Sequence, residues 1–226
     1  MSYTDEKYIW LSHVMDTSTP LYGGKGTIQF IQDKSIASGD SCNTYMLTFP
    51  SHAGSHVDAP LHFIDNAKSV EQYPPAAWFF NTPQIIRFSV SPGQLIRIED
   101  LGLSKNLDRD ADIILFCSGF EAYRGQDVYW KDGPGLDPEL AEYLIKTCPR
   151  LRAVGMDFLS VSSLRHREQG RMVHNAFLER EIFLFEDMSL RHLGAGDNLA
   201  RVLALPLRFT GGDGAPCTII GFRSLD

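Results

Sequence analysis

The chain has 226 residues, of which 43% are hydrophobic and 22% charged, so it has enough apolar side chains for a sizeable core. The 28 Asp and Glu residues outnumber the 21 Lys and Arg residues, giving a formal net charge of −7. Nucleic-acid binding usually requires a basic patch, and the basic residues here are scattered, so no nucleic-acid partner is expected. The densest basic stretch, residues 165–171, also contains Glu168 and is interpreted as a solvated loop.

The sequence has no apolar stretch near the ~18 residues that a membrane helix needs, and its first residues include no apolar signal-peptide core. The four cysteines form no CxxC pair. We therefore expect a reduced, cytoplasmic protein without a membrane partner. The length fits a single domain over residues 1–226, with residues 1–25 as an irregular N-terminal arm.

Three segments of the N-terminal half have the composition of strands. Residues 27–31, 43–49 and 84–90 alternate apolar and polar side chains or are rich in β-forming residues. A Ser-Pro-Gly turn at residues 91–93 ends the third segment.

The middle of the chain predicts a βαβ unit. Residues 112–117 form a continuous apolar run, typical of a strand buried on both faces. Residues 133–148 predict a helix, with Asp137 as its N-cap and Pro138 in its first turn. Residues 151–156 predict a second buried strand. Two strands joined by a helix pair in parallel in one sheet.

The C-terminal part adds a short helix at residues 173–180 and a strand at residues 182–185 that ends at Glu186. A Gly-rich turn at residues 211–216 precedes a last strand at residues 218–222. The fold class is therefore α/β or α+β, with a mixed β-sheet core and flanking helices.

Residues 51–63 concentrate the side chains that carry chemistry. Three of the seven histidines, His52, His56 and His62, lie within this segment together with Asp58. Histidine nitrogen and carboxylate oxygen are common zinc ligands. His56 and Asp58 are two residues apart, so on a strand they project to the same face. The segment therefore predicts a metal site.

This segment resembles the HxGTHxDxPxH signature of the cyclase and kynurenine formamidase family of metal-dependent hydrolases, which also includes isatin hydrolases. Ser55 stands at the Thr position of that signature and keeps a hydroxyl there. Four further segments resemble family motifs in the same order: residues 10–24, 154–161, 173–188 and 213–216. The resemblance extends over nearly the whole chain and implies the swivelling β/β/α cyclase-like fold.

The resemblance also implies a ligand set for one or two divalent ions, Zn²⁺ or Mn²⁺, formed by His52, His56, Asp58, His174 and Glu186. Asp58 would join a first metal, held with His52 and His56, to a second one completed by His174 and Glu186. His62 would lie beside the metals as the general base or acid, with metal coordination as its other role.

The implied reaction is hydrolysis of an amide, lactam or ester bond of a small cyclic or aryl substrate by metal-activated water. Trp10, Tyr22, Trp78 and Phe79 are the aromatic residues predicted to line the substrate pocket. The resemblance further implies a homodimer or homotetramer in which the N-terminal arm reaches a neighbour.

Two alternatives come from other classes. His56, Asp58 and His174 also fit the facial triad of a non-haem iron oxygenase. That triad leaves His52, His62 and Glu186 without a role. The other alternative is a non-catalytic binding protein of the same fold.

Overall fold

The structure is a computed structural model that describes residues 7–102 and 107–224. In chain order its strands are β1 (Tyr8–Trp10), β2 (Gln29–Lys34), β3 (Thr44–Thr48), β4 (His56–Asp58), β5 (Phe79–Phe80), β6 (Pro83–Arg87), β7 (Leu95–Ile96), β8 (Ile113–Cys117), β9 (Gly135–Leu136), β10 (Ala153–Met156), β11 (Phe183–Glu186), β12 (Leu199–Pro206) and β13 (Gly214–Arg223). The α-helices are α1 (Asp127–Lys131), α2 (Pro138–Thr147) and α3 (Arg167–Leu178).

A nine-stranded mixed sheet forms the centre of the fold. Its strand order is β5-β12-β13-β4-β11-β10-β8-β6, and β1 pairs with the C-terminal half of β13. Strands β6, β8, β10 and β11 are parallel to one another, whereas the pairs β11–β4, β4–β13, β13–β12 and β12–β5 are antiparallel. The predicted mixed sheet with flanking helices is therefore confirmed.

The predicted βαβ unit is present as β8, α2 and β10. Strands β8 and β10 pair in parallel, and the Asp137 side chain caps α2 by accepting a hydrogen bond from the Glu139 backbone N–H. Pro138 occupies the first turn of the helix. Local capping chemistry therefore positions this helix where the sequence predicts it.

Apolar side chains cover both faces of the main sheet. On β8, Ile114 and Phe116 pack with α2 and α3, whereas Ile113 and Leu115 pack into a second cluster on the opposite face. All four are fully buried, which confirms the prediction of a strand buried on both faces. Each such side chain contributes roughly 1.5–3 kcal/mol of hydrophobic stabilisation.

Two predictions for local structure are wrong. Residues 8–10 are not irregular, because they form β1 and pair with the distant strand β13. The basic stretch at residues 165–171 is not a loop, because α3 begins at Arg167. Residues 1–6 of the predicted arm lie outside the described residues. Within the part of the chain that is described, no helix has the length and apolar character to cross a membrane.

Strands β2 and β3 form a separate antiparallel hairpin. The two predicted strands at residues 27–31 and 43–49 are confirmed by it. Most of its side chains are exposed on both faces, including Ile31 (55% exposed) and Met46 (64% exposed).

Candidate metal centre

Strand β4 brings the predicted metal ligands together between β11 and β13. His56 lies opposite Glu186 of β11, and Asp58 lies opposite Gly214 of β13. His56, Asp58 and Glu186 are all buried. The site therefore forms where the parallel half of the sheet meets the antiparallel half.

Four predicted ligands surround one small space. His56 Nε2 lies 3.5 Å from Asp58 Oδ1 and 3.5 Å from Glu186 Oε2. From α3, His174 Nε2 lies 3.4 Å from Asp58 Oδ2 and 3.7 Å from Glu186 Oε1. Asp58 Oδ2 is buried and has no hydrogen-bond partner among the described residues. A buried carboxylate oxygen without a partner is costly, and a bound cation would satisfy it.

Backbone carbonyls set the orientation of two of the histidines. His56 Nδ1 donates to the Gly54 carbonyl at 2.7 Å, and His174 Nδ1 donates to the Gly170 carbonyl at 2.8 Å. Since a carbonyl only accepts, the hydrogen is on Nδ1, and the Nε2 lone pair of each neutral ring faces the carboxylates. Gly54 adopts φ 65°, in the left-handed region that favours glycine.

The Glu186 carboxylate is also held from outside the ligand set. Its Oε1 atom accepts a hydrogen bond of 2.8 Å from the backbone N–H of Val161. Such supporting contacts orient metal ligands before the ion binds.

His52 bridges two carboxylates. Its Nε2 lies 2.8 Å from Asp213 Oδ2, and its Nδ1 lies 2.8 Å from Asp58 Oδ1. If Nε2–H donates to Asp213, a neutral ring directs its Nδ1 lone pair at Asp58 Oδ1. The Nδ1 lone pair and the carboxylate oxygen are both acceptors, so a separation of 2.8 Å requires a proton or a metal ion between them. Gly214 is needed beside this ring, because a Cβ there would lie 2.3 Å from His52 Cε1.

His62 lies at the edge of the same site and is 28% exposed. A ring nitrogen of His62 lies within 4.8 Å of ligand atoms of Asp58 and His174. Its Nδ1 lies 3.1 Å from Asp213 Oδ2. With Nδ1–H bonded to Asp213, the Nε2 lone pair of His62 is free to act as a base.

Asp213 belongs to the candidate site but carries no predicted role in the sequence analysis. It contacts both His52 and His62, and the hydrogen bonds to them hold the pKa of its carboxyl well below its usual range. The family-like motif at residues 213–216 includes Asp213 and is a sequence signal for it. The motif does not reveal the contact between Asp213 and His62, because these residues are 151 positions apart in the sequence.

A cavity of about 520 Å³ opens in front of these groups. Its wall includes His62 and four of the five predicted ligands, all except the buried Asp58. It also includes the apolar side chains Phe63, Leu159 and Leu164 and the cations Lys25, Arg167 and Arg171. Tyr22, one of the four predicted pocket residues, lines it as well.

The other predicted pocket residues lie elsewhere. Trp78 is buried in the core and stacks on Phe183, and Phe79 belongs to β5 at the edge of the sheet. The prediction for these two residues is wrong because residues 75–80 lead into the edge strand, three strands away from β4. Trp10 lines a separate cavity, so it does not contribute to this pocket within one chain.

Without a metal, the cluster holds protons instead. Burial lowers the pKa of His52, but the hydrogen bonds with Asp213 and Asp58 outweigh this effect and raise the pKa to about 9. Burial likewise lowers the pKa of His56, and its carboxylate neighbours Asp58 and Glu186 more than reverse the effect. Metal binding must therefore displace protons from the site.

The stability of the metal-free protein should depend on pH. Because the pKa of His52 is raised from 6.5 to about 9 by folding, its contribution is complete below pH 6.5 and is lost as the pH rises through about 9. We expect the free energy of unfolding of chelated protein to fall by on the order of 2–3 kcal/mol across this range. Urea denaturation at a series of pH values measures this free energy of unfolding, with metal-loaded protein as the control. A flat profile for the chelated protein would contradict the prediction.

The fold agrees with that of known hydrolases. The chain matches isatin hydrolase A from Labrenzia aggregata with a TM-score of 0.79 at 19% identity, covering 95% of this chain and 92% of that one. It matches a potential metal-dependent hydrolase with cyclase activity with a TM-score of 0.74 at 20% identity, covering 97% and 99%. At these identities the likeness shows a common fold.

Sequence comparison gives the family. The kynurenine formamidase of Geobacillus thermodenitrificans is 26% identical over 215 residues, which cover 92% of this chain and 94% of that protein. The kynurenine formamidase of Bacillus cytotoxicus is 29% identical over 188 residues, 80% of each chain. A family model described as a putative cyclase matches residues 9–163, more than half of the chain.

The protein is therefore a metal-dependent hydrolase, and its histidine and carboxylate cluster groups the kind of donor atoms that a divalent metal requires. It belongs to the cyclase family, which confirms the resemblance seen in five sequence motifs. The comparisons support hydrolysis rather than the oxygenase alternative built on His56, Asp58 and His174.

Proposed function

We propose that the protein hydrolyses the amide or lactam C–N bond of a small aryl or cyclic substrate, with esters of the same shape as further substrates. The observation that carries this proposal is the buried set His56, Asp58, His174 and Glu186. All of these except Asp58 line an open cavity. Relatives named kynurenine formamidase and isatin hydrolase support an amide or lactam carbonyl as the group that is attacked.

Two ions, Zn²⁺ or Mn²⁺, are the arrangement that the donor geometry supports best. The two oxygens of Asp58 face different histidines: Oδ1 lies near His52 and His56, and Oδ2 near His174. Asp58 would thus bridge one ion held with His52 and His56 and another completed by His174 and Glu186. Nitrogen and oxygen ligands of this kind suit both metals, and a single ion is the simpler alternative.

A bound divalent metal polarises a carbonyl oxygen and lowers the pKa of water towards ~7. The residues around it supply the remaining steps. His62 Nε2, with Nδ1–H held by Asp213, would take the proton of the nucleophile and return it to the leaving nitrogen. Phe63 stacks on His174 with ring centroids 4.1 Å apart, which supports the ligand ring and covers it with an apolar surface.

The substrate proposal is tested by turnover of N-formylkynurenine, isatin and formanilide with protein loaded with Zn²⁺ or Mn²⁺, and again after chelation. We expect cleavage of at least one aryl amide or lactam that is lost on chelation and restored by metal. If the fully loaded protein cleaves none of these compounds, the proposal fails for aryl amides, and a non-catalytic binding protein gains support.

We further propose a homodimer or homotetramer that uses the β2–β3 hairpin as an interface. An isolated two-stranded hairpin is marginally stable in water, and this one exposes apolar residues on both faces. They are Ile31, Ile36, Tyr45, Met46 and Leu47. A second copy of the chain would cover them. We also propose that residues 1–226 act as one domain and that the protein is cytoplasmic, which its unpaired cysteines support.

Disrupting the hairpin should dissociate the oligomer. Ile31 and Met46 are direct cross-strand partners, so Met46→Glu places a charge in the middle of the patch. We expect wild type to sediment as a dimer or tetramer and Met46→Glu to weaken association by at least about tenfold. The control is Met172→Glu, which makes the same replacement at an exposed methionine of α3, outside the hairpin. A monomeric wild type, or equal effects of both variants, would contradict the proposal.

A further inference from the structure

Three cations line the active-site cavity without an anionic partner. Lys25, Arg167 and Arg171 form no ion pair with any carboxylate in the described part of the chain. By contrast, Arg180, two residues past the C-terminal end of α3, has its guanidinium 3.7 Å from the Glu142 carboxylate. The cations of the cavity are therefore available to a ligand.

Helix α3 directs two of these cations towards the predicted metal site. Arg167, Arg171 and His174 are spaced i, i+4 and i+7, so they lie on one face of the helix. At 1.5 Å per residue, Arg171 is about 4.5 Å and Arg167 about 10.5 Å along the axis from His174. One face of α3 thus carries a metal ligand at one end and guanidinium groups at the other.

The local electrostatics favour an anion at this end of the cavity. Arg167 and Arg171 occupy the first turns of α3, where the helix dipole already carries partial positive charge and disfavours cations. Glu168 lies in the same turn but does not line the cavity. Glu186, the one carboxylate of the cavity wall, belongs to the ligand set at the opposite end.

The rest of the cavity wall suits an aromatic ring. Phe63, Leu159 and Leu164 contribute apolar side chains to the wall, and Tyr22 adds a further ring. The Tyr22 hydroxyl is close enough to Arg167 for that charge to oppose the rise in its pKa that burial causes. The cavity therefore combines cations, apolar side chains and a metal-binding end.

We propose that the substrate is an aryl amide or lactam that carries a carboxylate, bound by Arg171 together with Arg167 and Lys25. This inference rests on the proposed function and adds the charge of the substrate to it. Arginine suits this role because its guanidinium binds a carboxylate with two parallel hydrogen bonds. The scissile carbonyl and the carboxylate would lie at opposite sides of the ring.

The test compares 4-formamidobenzoate with formanilide, which lacks only the carboxylate, as substrates of metal-loaded protein. We expect kcat/KM of wild type to favour 4-formamidobenzoate by about 10–100-fold, mainly through KM. Arg171→Gln should reduce this preference by about tenfold. Arg180→Gln, which removes the same charge just past the C-terminal end of α3 and outside the cavity, should keep it.

Equal kcat/KM for the two compounds in wild type would overturn the carboxylate inference and leave amide hydrolysis intact. If neither compound is cleaved, the proposed function fails for these substrates, and calorimetric binding of 4-aminobenzoate to the metal-loaded protein decides the inference. Binding that weakens about tenfold in Arg171→Gln but not in Arg180→Gln would support it. Equal affinity of the three proteins would overturn it.

Discussion

Asp58→Asn is expected to remove both the metal and the activity. The substitution keeps the shape of a buried side chain but deletes the negative charge that His52, His56 and His174 share. Loss of the metal removes several kcal/mol of transition-state stabilisation, so kcat/KM should fall by roughly 10⁴-fold or more. Metal content by elemental analysis and turnover of the active substrate measure both effects on one preparation.

Asp112→Asn is the matched control for this experiment. Asp112 is also a largely buried carboxylate, but it accepts hydrogen bonds from the backbone of Asn81 and Thr82, away from the cavity. This variant should lose stability and keep its metal. Full metal content and activity in Asp58→Asn would remove Asp58 from the centre of the site.

His62→Ala is expected to lower turnover while the metal stays bound. His62 is more exposed than His56 and His174, and its Nδ1 is held by Asp213 rather than by a backbone carbonyl. Removal of a general base or acid should reduce kcat by roughly 10²–10⁴-fold. The measurement is kcat together with metal stoichiometry.

His192→Ala controls for the loss of a histidine, because His192 lies outside the cavity wall. It should have activity close to that of wild type. If His62→Ala loses its metal together with its activity, His62 is a ligand and the proton-transfer role is wrong. If it keeps full activity, His62 has neither role.

Local signals explain what could be predicted from the sequence. The strand β8 follows from an uninterrupted apolar run, and α2 follows from Asp137 and Pro138, whose capping chemistry needs no distant partner. His56 and Asp58 are also a local signal, since a spacing of two on a strand places both on one face.

Other features of the fold depend on contacts between distant segments and could not be predicted from the sequence. The position of Glu186 opposite His56 depends on the register of β4 and β11, which the composition of neither strand encodes. The three-residue strand β1 could not be predicted either, because it is defined by its pairing with the distant strand β13. Trp78 is an aromatic residue of a type common in pockets, but its ring stacks on Phe183 in the core, a contact that neighbouring residues do not reveal.

Hydrolysis should depend on a divalent metal held by this cluster. Metal titration of chelated protein tests this dependence most directly. Zn²⁺ or Mn²⁺ is added in steps while bound metal and cleavage of the active aryl amide are measured on the same samples. We expect no activity without metal. Activity should then rise in proportion to the bound metal and reach a plateau once both proposed ions are bound. Full activity in metal-free protein would contradict this dependence.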